Sequence, residues 1–154
     1  MTIDPSPSLS ERSGRVYAPR AYEVGREKIR EFADAIGDPN PAYRDPGAAG
    51  ALGHEDTIAP PTFAMIPVLR GFDMLMNDLE IGYSRVIHVD QRFVYQRPIR
   101  AGDTLLTTTT LDNVRSRAGS HFLTIRSDVA TSTGEPVCAA TATLLVQAAE
   151  DGNG

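Results

Sequence analysis

One segment of the chain is apolar on nearly every side of a helix, and this limits the folds that the chain can adopt. From Phe63 to Leu79 the large apolar side chains are not confined to one stripe, as they would be on a surface helix. A helix of this kind has to be buried, so other elements must surround it. Pro67 fits the helix if the first turn starts near Thr62, and otherwise predicts a kink.

The segments after this helix have the pattern of strands and are long enough to surround it. Ser84 to Gln96 alternates in polarity, which places Ile87 and Phe93 on one face and His88 on the other, away from the helix. Three further predicted strands are rich in Thr, Val, Leu and Ile and are separated by turns: 104–114, 121–131 and 137–147. We therefore predict an α+β fold in which a long antiparallel sheet wraps around a central apolar helix.

The segment before the central helix is predicted to be helical in two places, with a constrained loop between them. Apolar residues at helical spacing predict a helix over 23–36, and residues 45–52 carry the start and stop signals of a short helix. Two prolines hold the intervening residues 38–43 in a non-helical path. We expect a flexible arm over residues 1–15, one domain over 16–148 and a flexible tail over 149–154.

Composition excludes several classes of protein. A length of 154 residues suits one domain, and the net charge of −5 argues against a nucleic-acid binder, which needs a basic surface. The single cysteine, Cys138, cannot form an internal disulfide and is expected to be a small buried side chain. No apolar run suits a membrane span or a signal peptide, so we expect a cytoplasmic protein. Nucleotide-binding glycine motifs and serine-hydrolase elbows are also missing from the sequence.

Three sequence motifs resemble those of one family. Ile36–Tyr43 is similar to the Gly-Asp-x-Asn-Pro-x-His signature of the MaoC-like hot-dog hydratases, and Gln91–Asp103 is similar to their strand-and-turn segment. Ile58–Phe63 resembles the helix entry of the dehydratase N-terminal-domain branch. Within the family, the chain most resembles the HadA-type subunits of (3R)-hydroxyacyl-ACP dehydratases, over roughly residues 16–148.

The resemblance implies a hot-dog fold and a role in interconverting (3R)-3-hydroxyacyl and trans-2-enoyl thioesters in fatty-acid biosynthesis, without a cofactor or metal. This chemistry needs an acid and base for the C2 proton and the C3 hydroxyl. It also needs backbone N–H donors at the thioester oxygen and an apolar tunnel for the acyl chain. The implied partners are an acyl-ACP or acyl-CoA thioester and a second hot-dog subunit, identical or carrying the full Asp/His motif.

The chain departs from the family pattern at the catalytic positions. Asp38 and Asn40 match the family's Asp and Asn, but Tyr43 occupies the His position, and a phenol with a pKa near 10 is a poor base at neutral pH. The usual His-Gly pair at the helix entry is replaced by Pro60-Pro61, and proline has no N–H to offer the thioester oxygen. The resemblance therefore implies an acyl-binding subunit with a degenerate site, in which these residues contact substrate: Pro61, Thr62, Phe63, Arg97 and Arg100.

Other interpretations of the same residues remain open. One alternative is that Asp38 has a purely structural role and forms an Asx turn. Another is that Arg97 and Arg100 are solvated charges and not ligands for a carrier phosphate. The chain could also be a self-sufficient R-specific enoyl hydratase that uses Asp38, a non-enzymatic acyl-thioester-binding protein or, as a weaker alternative, a hot-dog thioesterase. The histidines have no metal-ligating neighbours at useful spacing.

Overall fold

A computed structural model describes residues 8–148. These residues form three α-helices and five strands, with four short 3-10 turns at Leu9–Arg12, Pro41–Tyr43, Pro61–Ala64 and Tyr83–Arg85. The helices are α1 (Arg26–Ala35), α2 (Pro46–Ala51) and α3 (Met65–Asp78). The strands are β1 (Arg20–Glu23), β2 (Val86–Tyr95), β3 (Thr104–Arg117), β4 (Ser120–Thr131) and β5 (Pro136–Val146).

The strands form one antiparallel sheet in the order β1-β3-β4-β5-β2, and α3 packs across one of its faces. The three consecutive strands β3, β4 and β5 lie in the middle, because tight turns join neighbours along the chain. The predicted α+β fold, with a sheet around a central apolar helix, is confirmed. Within the described part of the chain, no helix is both long and apolar enough to cross a bilayer.

Helix α3 lies very close to the sheet at one point. Gly71 faces Thr109 of β3 so tightly that a Cβ at position 71 would lie 2.0 Å from the Thr109 hydroxyl oxygen. Around this contact the sheet carries small polar side chains, Thr107, Thr109 and Ser127, which are fully buried. Larger residues such as Leu105, Leu111 and Ile125 fill the core on either side. Small side chains on both surfaces are what allow the helix to approach.

The start of α3 accommodates its proline without losing a hydrogen bond. The chain first makes the 3-10 turn Pro61–Ala64 and continues as α-helix from Met65. Pro67 is therefore the third residue of α3, where a backbone N–H would have no partner inside the helix. Of the two outcomes expected for Pro67, the first-turn position is confirmed, although the α-helix begins three residues later than Thr62.

A β-bulge in β2 makes the predicted faces of this strand wrong. The pairing with β5 shifts between His88 and Asp90, so Val89 is an extra residue. Val86 and His88 then share a face with Phe93, and the His88 ring centroid lies 6.4 Å from that of Phe72 in α3. Strict alternation placed His88 away from the helix, but one inserted residue reverses the side on which each later residue lies.

The N-terminal residues that the structure describes are bonded to the sheet and to α3. The Gly14 N–H donates to the Leu111 carbonyl at 2.7 Å, and the Tyr17 N–H to the Thr109 carbonyl at 2.8 Å. Arg15 forms an ion pair of 2.6 Å with Asp78 at the end of α3. The domain bounds and the flexibility of arm and tail stay predictions, and residues 1–7 and 149–154 lie outside the described residues.

Candidate functional site

The loop between α1 and α2 is held by its own polar side chains. The Asp38 carboxylate accepts the Asn40 N–H at 3.1 Å, and the Asn40 side-chain oxygen accepts the Ala42 N–H at 3.0 Å. Asn40 thereby caps the 3-10 turn Pro41–Tyr43. These two bonds give Asp38 and Asn40 the local turn roles that proline-rich loops favour, and they fix where Tyr43 lies.

Tyr43 forms part of the wall of a cavity of about 390 Å³ at the start of α3. Tyr43 is only 7% exposed, so most of it is packed against the protein. The walls come from the chain before α3, from the turn Pro61–Ala64 and from the end of β2, and are mostly apolar. The other lining residues are Ile58, Ala59, Pro61, Tyr95, Gln96, Arg97 and Pro98.

The structure brings only some of the predicted site residues together. Tyr43, Pro61 and Arg97 meet in the cavity, whereas Asp38 and Asn40 lie in the adjoining loop and do not line it. Among the other predicted contacts, Thr62 is exposed. Phe63 is fully buried in the core, with its ring edge-on to Phe32 at 5.4 Å between centroids. The substrate-binding and catalytic roles of all these residues stay predictions.

Tyr95 also lines the cavity, although no sequence motif marks it as a site residue. Its hydroxyl donates a hydrogen bond to the Pro61 carbonyl, which joins the end of β2 to the start of α3. Burial raises the pKa of Tyr95 and the adjacent Cys138 thiol raises it further, while a backbone hydrogen bond from Ala64 opposes the shift. The phenol is therefore a neutral donor. Tyr95 lies two residues after Phe93 on β2 and therefore on the same face, and this spacing is the only sign of its inward position in the sequence.

Cys138 lies opposite Tyr95 on β5 and is buried, as predicted. Burial raises its pKa to about 11, while the neighbouring Tyr95 side chain and Val94 backbone oppose the shift. The sulfur is thus a protonated thiol at neutral pH and a weak nucleophile.

Arg97 is held by internal partners. Its two terminal nitrogens bind the Asp103 carboxylate in a bidentate pair at 3.0 and 2.9 Å, and Nε donates to Glu135 at 2.8 Å. The pair with Asp103 is the main cause of the raised pKa of Arg97. One terminal nitrogen also donates to the Pro98 carbonyl at 2.9 Å. A phosphate at this point would have to compete with two carboxylates for the same donors.

Arg100 has a similar arrangement on the other side of the turn. Its guanidinium lies 3.1 Å from Glu55, and its backbone N–H donates to Asp103 at 2.9 Å. Asp103 is therefore the centre of this turn, bonded to both arginines, and its side chain is only 6% exposed. Of the two arginines, only Arg97 lines the cavity, and both guanidinium groups already face carboxylates.

A family model described as "FAS1-like, dehydratase domain region" matches residues 11–140. The chain belongs to this family. Among the relatives of this FAS1-like dehydratase-domain protein, the "UPF0336 protein" of Saccharopolyspora erythraea is 52% identical over 145 residues, covering 92% of this chain and 93% of the relative. "UPF0336 protein SCO4636" of Streptomyces coelicolor is 52% identical over 141 residues, covering 90% and 94% respectively.

Solved structures similar to this FAS1-like dehydratase-domain protein include hydratases and dehydratases. A chain of the HadBC (3R-hydroxyacyl-ACP dehydratase) complex from Mycobacterium tuberculosis superposes with a TM-score of 0.81 at 32% identity, covering 87% of this chain and 96% of the other. A "MaoC-like dehydratase" gives 0.84 at 32% identity, covering 93% of this chain and 44% of the other. The (R)-hydratase of A. caviae, at 20% identity and a TM-score of 0.70 over 92% of this chain and all of the other, supports the fold alone. The hot-dog fold implied by the motifs is confirmed.

Proposed function

We propose that this protein is the acyl-binding subunit of a (3R)-3-hydroxyacyl-thioester dehydratase, of the HadA type, and that a partner subunit holds the complete Asp/His site. The observation that carries the proposal is Tyr43, which stands in the family's His position and walls a largely apolar cavity at the start of α3. A phenol cannot serve as base at neutral pH, but its ring extends the apolar wall. In this proposal, the residue at position 43 no longer transfers a proton and instead helps to enclose the ligand.

The helix entry supports the same division of labour. Pro60 and Pro61 have no N–H, and the Pro61 carbonyl accepts the Tyr95 hydroxyl. This part of the cavity therefore presents carbonyl and phenol groups where a thioester oxygen would need backbone donors. An acyl chain on ACP or CoA suits the apolar walls, and the chemistry is left to the partner subunit.

The free edge of β2 is the surface that we assign to the partner. β2 is the last strand of the sheet, and Ile87, Val89 and Val94 on it are 46%, 52% and 46% exposed. An open edge with apolar side chains pairs readily with another strand. The structural neighbours include subunits of two-component complexes, HadBC and ChsH1-ChsH2, which supports a second hot-dog protein as the occupant.

The proposal is tested by measuring enoyl-CoA hydration with and without a hot-dog subunit that carries the full Asp-x-Asn-Pro-x-His motif. The isolated chain is expected to show little or no loss of enoyl absorbance, and the co-purified complex to turn over. Within the complex, Tyr43→Trp should weaken binding of a long enoyl substrate, while Tyr43→Phe should leave turnover nearly unchanged. Turnover by the isolated chain at about 1–10³ s⁻¹ would contradict the subunit assignment.

A self-sufficient hydratase is the second candidate, because Asp38 keeps a partly exposed carboxyl group next to the cavity loop. In that case Asp38→Asn would abolish hydration by the isolated chain. Under the subunit proposal the same substitution only perturbs the Asn40 turn, and the activity of the complex persists. If the chain binds acyl-CoA, and no hydration is seen either with the isolated chain or with a partner subunit, it would instead be a non-enzymatic binding protein.

A further inference from the structure

A second recess lies away from the cavity that Tyr43 lines, between β1 and the outer face of α3. It has a volume of about 280 Å³ and is lined by Arg20, Ala21, Arg70 and Asp73. No motif in the sequence pointed to these residues. We infer that Arg20 and Arg70 form a binding site for a phosphate group at this recess.

Arg20 and Arg70 differ from Arg97 and Arg100 in having their donors available. Within residues 8–148, Arg97 and Arg100 are paired with Asp103, Glu135 and Glu55, whereas the ion pairs of the same region include neither Arg20 nor Arg70. An arginine fork without a carboxylate partner presents planar N–H donors that match the oxygens of a phosphate. A phosphate at the recess displaces no internal ion pair.

Arg70 is also held in one orientation. Its guanidinium carbon lies 4.8 Å from the centroid of the Tyr22 ring, in a cation–π contact. This contact uses the flat face of the guanidinium and leaves the N–H groups at its edge free to donate. Because Tyr22 is buried in the core and packs edge-on to Phe63, the platform under Arg70 is rigid. Less side-chain entropy is then lost when an anion binds.

Asp73 is the acidic group that lines the recess, and it partly opposes an anion. Its carboxylate already accepts the hydroxyl of Tyr83, which holds it on the side of α3 where Tyr83 lies. Two guanidinium charges against one carboxylate leave the recess with a net positive charge. Asp73 therefore lowers the affinity for phosphate without cancelling it, and its removal should strengthen binding.

The identity of the molecule that carries the phosphate rests on the proposed function. If that function is correct, the phosphate belongs to the thioester's carrier, either a phosphate of CoA or the phosphopantetheine of a carrier protein. Arg70 lies nine residues after Pro61, roughly 15 Å along the axis of the 3-10 turn and α3. Free inorganic phosphate offers the same oxygens without the carrier, so the two sources can be compared directly.

The experiment titrates the full chain with inorganic phosphate, with 4′-phosphopantetheine and with CoA, while the Nε–H signals of the arginine side chains are followed by NMR. All three probes should shift the signals of Arg20 and Arg70 and leave that of Arg97 in place. Stronger binding of CoA than of 4′-phosphopantetheine would assign the site to the nucleotide phosphates of CoA. Equal binding of the two would assign it to the phosphate of phosphopantetheine. Absence of a shift at Arg70 with every probe overturns the inference.

Substitutions give the second measurement. Arg70→Met keeps an unbranched side chain over Tyr22 and should weaken CoA binding about tenfold, as expected for the loss of a hydrogen bond to a charged group. Asp73→Asn should strengthen binding, and Arg117→Met, a single-charge change at the exposed end of β3, should leave it unchanged. Equal affinities for Arg70→Met and Arg117→Met would overturn the site. A failure of the proposed function alone would appear differently, as CoA that binds at Arg70 while no acyl chain enters the cavity lined by Tyr43.

Discussion

In the loop between α1 and α2, two residues match the family's motif and one does not. Asp38 and Asn40 keep the family's residue types, and both side chains accept backbone N–H groups of their own turn. Tyr43, which the turn presents to the cavity, replaces the family's His. The loop geometry is therefore preserved by bonds that need no catalytic role.

Restoring the imidazole tests whether this loop still has a catalytic geometry. Tyr43→His alone is expected to give little hydration, because the proline pair still denies the thioester oxygen a donor, a loss of about 10²–10³ in rate. Tyr43→His combined with Pro60→His and Pro61→Gly should give measurable hydration in an enoyl-CoA assay, since acid–base catalysis contributes about 10²–10⁴. Circular dichroism checks that α3 still forms.

The control is the same triple variant with Asp38→Asn, which should return the rate to background. A folded triple variant that binds acyl-CoA yet remains inactive would show that Asp38 and Tyr43 do not align with the family's catalytic pair. In that outcome the loop serves structure alone.

The raised pKa of the buried Cys138 thiol allows a prediction about its reactivity. The pKa of Cys138 is raised to about 11 in the folded chain, against about 8.5 for a free cysteine. At about pH 8 the folded protein should thus react with a disulfide reagent far more slowly than the urea-unfolded chain, because little thiolate is present and access is blocked. Stopped-flow absorbance measures both rates, and equal rates would contradict the buried position behind Tyr95.

At the scale of elements, the turn between β2 and β3 is held by a cluster of ion pairs that also reaches the start of β5. Between β2 and β3, Arg97 and Arg100 converge on Asp103, and Arg97 also reaches Glu135 just before β5. The Arg97–Asp103 pair is well shielded, with side chains 17% and 6% exposed. Removing Asp103 leaves the shielded Arg97 charge with only the more exposed Glu135, which is more costly than losing a surface pair.

We therefore expect Asp103→Asn to lower the free energy of unfolding by about 3 kcal/mol. The matched control is Asp128→Asn, which breaks a pair with Arg126 whose side chains are 48% and 50% exposed, and which should cost about 0.2–1 kcal/mol. Urea unfolding followed by circular dichroism compares the two. A similar cost for both variants would mean that the turn does not depend on the buried pair.

For the whole molecule, the open edges of the sheet predict association. The five-stranded sheet ends at β1 on one side and at β2 on the other, and β2 carries exposed Ile87, Val89 and Val94. An isolated edge of this kind is a liability unless another chain pairs with it. The edge thus argues for a second hot-dog chain, identical or different.

Sedimentation equilibrium at micromolar concentration should show a dimer or a larger assembly, and a clean monomer of 16.6 kDa would contradict the prediction. Val89→Lys should shift the equilibrium toward monomer, because a charged side chain on an edge strand opposes pairing. Val16→Lys provides the control, since Val16 is 62% exposed and pairs with Thr110 of β3, far from β2 in the sheet order.

The amino-acid sequence by itself determined the order and type of most elements. The all-round apolar pattern of α3 required burial, and the predicted strands 104–114, 121–131 and 137–147 correspond to β3, β4 and β5, because side-chain periodicity is a local property. Cys138 was correctly placed inside for the same reason. The motif around Asp38 located the loop that carries Tyr43.

Only the tertiary structure decided the features that depend on residues far apart in the chain. The bulge at Val89 follows from how β2 pairs with β5, and strand β1 exists only through its pairing with β3. The sequence offers Arg97 as a candidate phosphate ligand, but its partners Asp103 and Glu135 are visible only in the folded chain, and Glu135 is 38 residues away. Local patterns carry periodicity, whereas register shifts and ion-pair partners are selected by packing between distant segments, where each charge must find the nearest compensating group.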